Sequence, residues 1–231
     1  MVQKQSGFTL IEIAIVLVII GLLLGGVLKG QELITSARVR NLISQQDGVK
    51  AAFFGFQDRF RAFPGDYSGA TANISAISTA ACNGGNGDGD GRIETTNNEF
   101  ILAWEHMSKA GFIAGSYTCA GTEGTTTTPV NPYGLYLQVI YDGAYGGGSS
   151  PQRHNVKTGP QIPVELIAEM DRKIDDGNPN TGGFQFSTFA AQGTAPTGGS
   201  TTAPACTSAN TAAGIWNATN GSTNCGAASL F

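Results

Sequence analysis

The sequence predicts an α+β protein in which a long N-terminal α-helix packs on a loop-rich head with a small antiparallel sheet. Three observations support this fold class. The segment from Phe8 to Leu28 is predominantly apolar, and Glu12 is its only charged residue. The residues that follow place apolar side chains at helical spacing. The rest of the chain alternates short helix and strand patterns with loops rich in glycine, threonine and serine.

The apolar stretch GFTLIEIAIVLVIIGLLLGGVLKG predicts a membrane-spanning helix. Phe8–Leu28 would be about 32 Å long as a helix, enough to cross the hydrocarbon core of a bilayer. This apolar run is longer than that of a secretory signal peptide, and no A-x-A cleavage pattern follows it. The polar leader MVQKQSG offers Lys4 as a cytoplasmic anchor. We therefore expect the segment to remain part of the mature protein.

Beyond Lys29 the same helix is expected to continue in amphipathic form. Its apolar residues recur mostly at steps of three, four or seven, namely Leu33, Ile34, Ala37, Leu42, Val49, Phe53, Phe56 and Phe60. The turn Pro64-Gly65-Asp66 ends it. A helix over residues 8–60 would be about 80 Å long, with a second half that offers a stripe for a head to pack on.

The head shows four further element patterns. Two segments predict helices that end near a glycine, Glu99–Ile113 and Pro163–Gly177. Two others predict strands, Tyr133–Gly143 and Gly183–Ala190. The stretches TEGTTTTP and QGTAPTGGSTTAPA are of low complexity and predict exposed loops.

The composition excludes some partners. The net charge is −4, only 13% of residues are charged, and no basic stripe occurs. A nucleic-acid-binding protein usually carries such a stripe, so the charge pattern argues against nucleic acid as a partner. The abundance of glycine and small polar residues is typical of a loop-rich exported protein.

The four cysteines predict disulfide bonds. Cys82, Cys119, Cys206 and Cys225 form no CxxC pair, and no histidine lies at zinc-ligand spacing. Three connectivities are possible. We favour Cys82–Cys119 and Cys206–Cys225, because each closes a local loop and would add roughly 3–4 kcal/mol in the chain-entropy model. The alternative is four buried free thiols.

The stretch NGDGDGRIE, residues 86–94, predicts a calcium loop. Asn86, Asp88 and Asp90 occupy positions 1, 3 and 5 of such a loop, and Gly91 occupies the sharp turn at position 6. The second half departs from the pattern, because Asn97 replaces the glutamate at position 12. Candidates to complete a variant site are Arg92, Glu94 and Glu99. The alternative is a flexible Asx-Gly turn with no ion.

Catalytic motifs are absent from the sequence. It contains no GxSxG, Walker A or HExxH pattern. His106 and His154 have no nucleophile or metal partner nearby in sequence, so packing or surface roles are expected for them. Trp104 and Trp216 are expected to pack in the core or against a disulfide loop. We therefore predict a protein that is not an enzyme and has no cofactor other than calcium.

The motif GFTLIE followed by an apolar run resembles the N-terminal signal of type IV pilins and type II secretion pseudopilins. The resemblance covers only the N-terminal anchor. It implies cleavage by a prepilin peptidase after Gly7 and methylation of the new N-terminus at Phe8. It also identifies Glu12 with the family's glutamate, and implies a pilin-like fold.

The resemblance gives a physical reason for a carboxylate at the edge of an apolar helix. After cleavage, Phe8 would carry a positive amine close to the apolar core. Pairing of that amine with Glu12 of a neighbouring copy would remove much of the cost of burying either charge. Such a pair would set axial register in a filament. The alternative is an ordinary signal anchor with a stray glutamate.

The expected organisation has four parts. They are a leader (1–7), a transmembrane and assembly helix (8–29), the amphipathic half of the helix (30–62) and a globular periplasmic or extracellular head (63–231). The resemblance implies a single-pass inner-membrane protein with its head in the periplasm. It would then enter an extracellular or periplasmic filament. The implied partners are other copies, related pilins, the prepilin peptidase and methyltransferase, and an inner-membrane assembly platform.

The resemblance thus implies a structural subunit of a type IV pilus-like filament. One alternative is a minor pseudopilin of a type II secretion system. Another is a binding module, such as a tip adhesin or a DNA-uptake minor pilin. Many major subunits carry a proline just beyond the membrane half of the helix, where this chain has Lys29, which favours a minor subunit. A membrane-anchored enzyme would need a catalytic cluster that the sequence lacks.

Overall fold

The computed structural model describes residues 10–201 and 204–231. It confirms an α+β, pilin-like fold with a long N-terminal helix, α1 (Leu10–Phe60), and a four-stranded antiparallel sheet. The chain divides into two compact units, Met1–Arg38 and Val39–Phe231.

The described part of the first unit is helical throughout. Its large apolar side chains are exposed from Leu10 to Leu28, by 46% to 93%. An exposed ion pair joins Lys29 and Glu32 at 2.7 Å. Among the described residues, α1 is the one helix long and apolar enough to cross a membrane.

In the second unit, the later part of α1 buries one stripe. Its members recur at steps of three or four: Val39, Leu42, Gln46, Val49, Ala52, Phe53 and Phe56. This spacing places them on one face of the helix. The amphipathic pattern in the sequence therefore corresponds to real packing, although Leu33 and Ile34 at its start are exposed.

Three shorter helices follow, α2 (Ala70–Asn73), α3 (Glu99–Lys109) and α4 (Val164–Ile174). Both helices predicted for the head are present as α3 and α4. The first ends at its predicted C-terminal glycine, since Ala110 is its C-cap and Gly111 directly after it adopts a positive φ of 83°. Short 3-10 turns lie at Asn83–Gly85, Thr96–Asn98 and Ala218–Asn220.

The sheet consists of β1 (Gln138–Tyr145), β2 (Gly148–Lys157), β3 (Phe184–Phe186) and β4 (Ala227–Leu230). The strand order is β1-β2-β4-β3, and each neighbouring pair is antiparallel. The sequence patterns predicted β3 with wider bounds, and they predicted a strand at β1 that begins five residues too early and ends two residues too early. They missed β2, which contains glycine, proline and charged residues, and the short β4 at the C-terminus.

Two apolar cores meet the buried stripe of α1. The first gathers the end of that stripe with α3 and β1, including Phe53, Phe56 and Trp104. The second gathers its start with α4 and β3, including Val39 and Leu42. One helical face thus contributes to both cores of the head.

Each core contains one disulfide bond. Cys82 pairs with Cys119 and Cys206 pairs with Cys225, with sulfur–sulfur distances of 1.99 and 2.04 Å. These are the two pairings favoured from the sequence.

Replacement of Phe56 tests the contribution of the stripe. Phe56 is fully buried against His106, Phe60, Tyr67 and Phe112. We expect Phe56→Ala to lower the free energy of unfolding by about 3–5 kcal/mol, because it leaves a cavity. Phe54→Ala on the same helix is the matched control, since Phe54 is 49% exposed, and should cost less than about 1 kcal/mol. Urea unfolding of the two variants measures both values, and equal losses would contradict the packing described.

Candidate functional sites in the head and the N-terminal helix

Three carboxylates from separate segments meet in the head. Asp66 lies in the turn that follows α1, Asp88 lies in the acidic loop, and Glu99 is the first residue of α3. Each offers one carboxylate oxygen, and these oxygens all lie within 4.8 Å of one another. We call these three residues the carboxylate cluster.

Two glycines permit the close approach of these segments. Gly65 has a φ of +91°, and a Cβ there would lie 2.4 Å from the carbonyl oxygen of Glu99. A Cβ at Gly87 would lie 2.2 Å from the carbonyl carbon of Asp66. Both distances are too short for any side chain, so glycine is needed at both positions for the backbones to pack.

Asp66 is the most deeply placed aspartate of the cluster. Only 3% of it is exposed. Its Oδ2 accepts a hydrogen bond from the Gly91 amide at 3.1 Å. Its Oδ1 is buried and has no hydrogen-bond partner among the described residues. A buried carboxylate oxygen without a partner is costly, so this atom marks a place where a cation or a water would be stabilising.

Glu99 orders the acidic loop from the start of α3. Its Oε1 accepts a hydrogen bond from the Asp88 amide at 3.0 Å, and its Oε2 accepts one from the Glu94 amide at 3.2 Å. The residue is 1% exposed. A carboxylate in the first turn of a helix is also favoured by the helix dipole.

The electrostatics of the cluster favour a positive ligand. Burial is the main cause that raises the pKa of Asp66 to about 6 and that of Glu99 to about 7. Neighbouring carboxylates add to this rise, whereas backbone amides oppose it. Two oxygens that both bind calcium at roughly 2.4 Å can be at most about 4.8 Å apart. The cluster meets that limit, and an all-oxygen set suits a hard cation.

The structure brings together two of the ligands predicted from the sequence, Asp88 and Glu99. The side chains of the others have different partners. Asn86 Oδ1 accepts hydrogen bonds from the amide and the hydroxyl of Thr71, at 3.0 and 3.2 Å. Asp90 is exposed, and its Oδ1 accepts a hydrogen bond from the Arg92 amide at 2.9 Å.

Arg92 and Glu94 form a partly exposed ion pair at 3.7 Å, and Arg92 also lies over the Tyr141 ring. The linear loop pattern did not include Asp66, which lies twenty-two positions before Asp88. The available signal was the FPGD turn, whose aspartate follows the end of the helix.

Two further buried side chains of α3 hold the loops around the cluster. Glu105 accepts hydrogen bonds from the amides of Ser78 and Cys119, both at 2.7 Å. His106 Nδ1 accepts a hydrogen bond from the Gly65 amide at 3.0 Å, and its Nε2 donates to the Gly85 carbonyl at 3.1 Å. His106 therefore has a structural role, in line with the packing role expected for it.

A second acidic group, Asp171, Asp175 and Asp176, lies at the end of α4. Its oxygens bind donors of the protein itself. The two oxygens of Asp171 accept from the Trp216 indole at 2.6 Å and from the Gly177 amide at 3.3 Å. Asp175 accepts from the Phe184 amide at 3.1 Å. This group therefore organises the α4–β3 loop.

In the first unit, Glu12 lies in the first turn of α1 and is exposed. The cleavage and methylation positions, Gly7 and Phe8, lie outside the described residues. Beside Glu12, the surface of α1 up to Leu28 is formed by aliphatic side chains and glycines.

Comparison with known families agrees with these features of the N-terminus. Residues 2–28 match the model of the prokaryotic N-terminal methylation motif, the signature of type IV pilins and pseudopilins. No curated protein and no solved structure gave a match. The chain therefore carries the signature of a pilin-like or pseudopilin subunit, and the pilin-type proteins that share it are structural.

The pH dependence of stability tests the role of His106. Burial lowers the pKa of His106 from 6.5 to about 4. The unfolded chain therefore binds this proton at a higher pH than the folded chain does. The contribution of a neutral His106 is complete above pH 6.5 and is lost as the pH falls towards 4, by up to about 3 kcal/mol.

A His106→Gln variant lacks this titration. Urea unfolding in EDTA at several pH values should show the wild type losing stability faster than the variant over this range. Parallel profiles for the two proteins would contradict the assignment.

Proposed function

We propose that this chain is a structural, non-catalytic subunit of a type IV pilus-like filament. The observation that supports it is the methylation motif at residues 2–28, followed by a helix with an exposed apolar surface. The charge of the chain and its lack of a basic stripe argue against nucleic acid as a partner.

The exposed surface of the helix supports a role in assembly. Between Leu10 and Leu28, fourteen large apolar side chains are exposed. Lipid would cover them while the helix spans the inner membrane. Once the helix leaves the bilayer, other helices of the same kind are the covering that keeps this surface from water. A bundle of subunit helices with heads outside meets this requirement.

The proposed route begins with cleavage after Gly7 and methylation of Phe8 by a prepilin peptidase. The segments 1–7, 8–29, 30–62 and 63–231 would then act as leader, transmembrane and assembly helix, amphipathic half and head. The head would lie in the periplasm until an inner-membrane platform moves the subunit into the filament. In the filament, the Phe8 amine of one copy would pair with Glu12 of a neighbour and remove the cost of a buried carboxylate.

Substitution of Glu12 tests the register proposed for assembly. We expect Glu12→Ala to be cleaved and methylated normally but to be largely absent from filaments, because the Phe8 amine loses its partner. Glu32→Ala is the matched control, since Glu32 is an exposed glutamate on the same helix whose partner is Lys29. Quantitative mass spectrometry of sheared filaments measures incorporation. Normal incorporation of Glu12→Ala would contradict the proposed pair.

The location of the processed chain separates the filament types. Intact-mass and N-terminal spectra should be taken from sheared surface material and from washed membranes. A chain that begins at methylated Phe8 and is abundant in the sheared fraction supports a pilus subunit. The same chain confined to membranes supports a pseudopilin or a rare initiator. A chain that still begins at Met1 in both fractions would contradict the proposed processing.

We also propose that the head binds a calcium ion. The acidic groups could hold a metal ion, and the buried, unpartnered Oδ1 of Asp66 is the observation that favours one. Calcium accepts carboxylate, carbonyl and water oxygens in flexible geometry. We expect the melting temperature of the head to fall when EDTA replaces calcium in the buffer. A melting temperature unaffected by EDTA would contradict the proposal.

A further inference from the structure

We propose that calcium is held by the carboxylate cluster of Asp66, Asp88 and Glu99, and that it joins the turn after α1 to the start of α3. The inference rests on the proposal that the head binds calcium and is independent of filament assembly. It differs from a calcium loop of consecutive residues, because its ligands come from three segments of the chain.

The geometry of the cluster supports this ligand set. Its three oxygens lie within 4.8 Å of one another, so all can reach one ion. The ion pairs within 4.0 Å among the described residues do not include any of the three carboxylates. The nearby Arg92 is paired with Glu94 and covers Tyr141 instead. The basic side chains of these ion pairs would therefore not compete with a cation from solution for the three carboxylates.

Asp66 provides an independent observation that points to a ligand. One of its oxygens is held by the Gly91 amide, which fixes the orientation of the carboxylate. The other oxygen, Oδ1, is buried without a hydrogen-bond partner among the described residues, in a carboxylate that belongs to the cluster with Asp88 and Glu99. The Gly91 amide thus satisfies one oxygen of the carboxylate, and the buried second oxygen would gain a partner from an ion. This arrangement is typical of a ligand that is positioned before the metal binds.

The loop positions outside the cluster have other partners. Asn86 faces Thr71 and Asp90 caps the Arg92 amide. Asp88 and Asp90 are a matched pair, because both are exposed and each caps the amide two positions later through Oδ1, at 3.2 and 2.9 Å. They differ in that only Asp88 belongs to the cluster. Replacement of each by asparagine keeps the shape and removes the charge.

The function of the ion follows from the segments that it connects. The chain between Asp66 and Glu99 contains one short α-helix, two 3-10 turns and Cys82. The cation would close this stretch at both ends and in the middle. Calcium should therefore protect residues 66–99 from proteolysis.

The test is calorimetric titration of calcium chloride into the full chain in detergent micelles. It compares the wild type with the variants Asp66→Asn, Asp88→Asn and Asp90→Asn. We expect Asp66→Asn and Asp88→Asn to weaken calcium binding by more than about tenfold, because even outer-shell changes can cost that much. We expect Asp90→Asn to change it by less than about threefold. Near-UV circular dichroism checks that each variant is folded. If Asp66→Asn does not fold, Asp88→Asn still tests the inference, because Asp88 is exposed.

The outcomes separate this inference from the calcium proposal. Strong binding that depends on Asp90 as much as on Asp88, and not on Asp66, would indicate a loop of consecutive ligands and overturn the inference alone. Binding that none of the three variants changes would place calcium elsewhere and also overturn it. A wild type that binds no calcium would overturn both proposals. Limited proteolysis with and without calcium should show protection of residues 66–99 in the wild type and not in Asp88→Asn.

Discussion

The interaction on which the head depends is the burial of one face of α1 from Val39 to Phe56. This stripe supplies side chains to both apolar cores, so α3 with β1, and α4 with β3, are organised around the same helix. A change of helical phase in this segment would expose Phe53 and Phe56 and bury polar neighbours. The steps of three and four between apolar residues are therefore the main sequence requirement of the head.

Beside this packing, buried polar side chains of α3 form hydrogen bonds with the backbones of the surrounding loops. Glu99, Glu105 and His106 are all buried, and each satisfies backbone groups of loops that have little regular structure of their own. A segment as irregular as 64–98 would otherwise leave amides and carbonyls without partners. The same arrangement concentrates carboxylate oxygens at one end of α3. The ordering of the loops and the candidate cation site therefore both depend on buried polar side chains of α3.

The sequence predicted those features that depend on local pattern. The long helix, α3, α4 and the fold class follow from apolar periodicity and end signals, and the structure confirms them. β2 was missed because its stretch GSSPQRHNVK reads as turn and charged loop, although pairing with β1 and β4 makes it the longest strand. Asp66 was missed as part of the cluster for a related reason. Its proximity to Glu99 depends on the tight packing allowed by Gly65 and Gly87, which no linear motif encodes.

The two units differ in how completely they bury their apolar side chains. From Val39 onward, the large apolar side chains are mostly buried and the cysteines are bonded. From Leu10 to Leu28, the helix instead exposes a continuous apolar surface with Glu12 beside it. Such a surface is stable only in lipid or among similar helices, so its chemistry alone requires an environment outside the chain.

Near its N-terminus this surface carries a carboxylate, and a carboxylate in such an environment needs a cation. In the proposed processing, the new amine of Phe8 would lie four residues before it. In the proposed staggered bundle of copies, the amine of one chain would neutralise the carboxylate of another. On this proposal, the helix whose apolar surface needs covering would also carry the two charges that set its register in the filament.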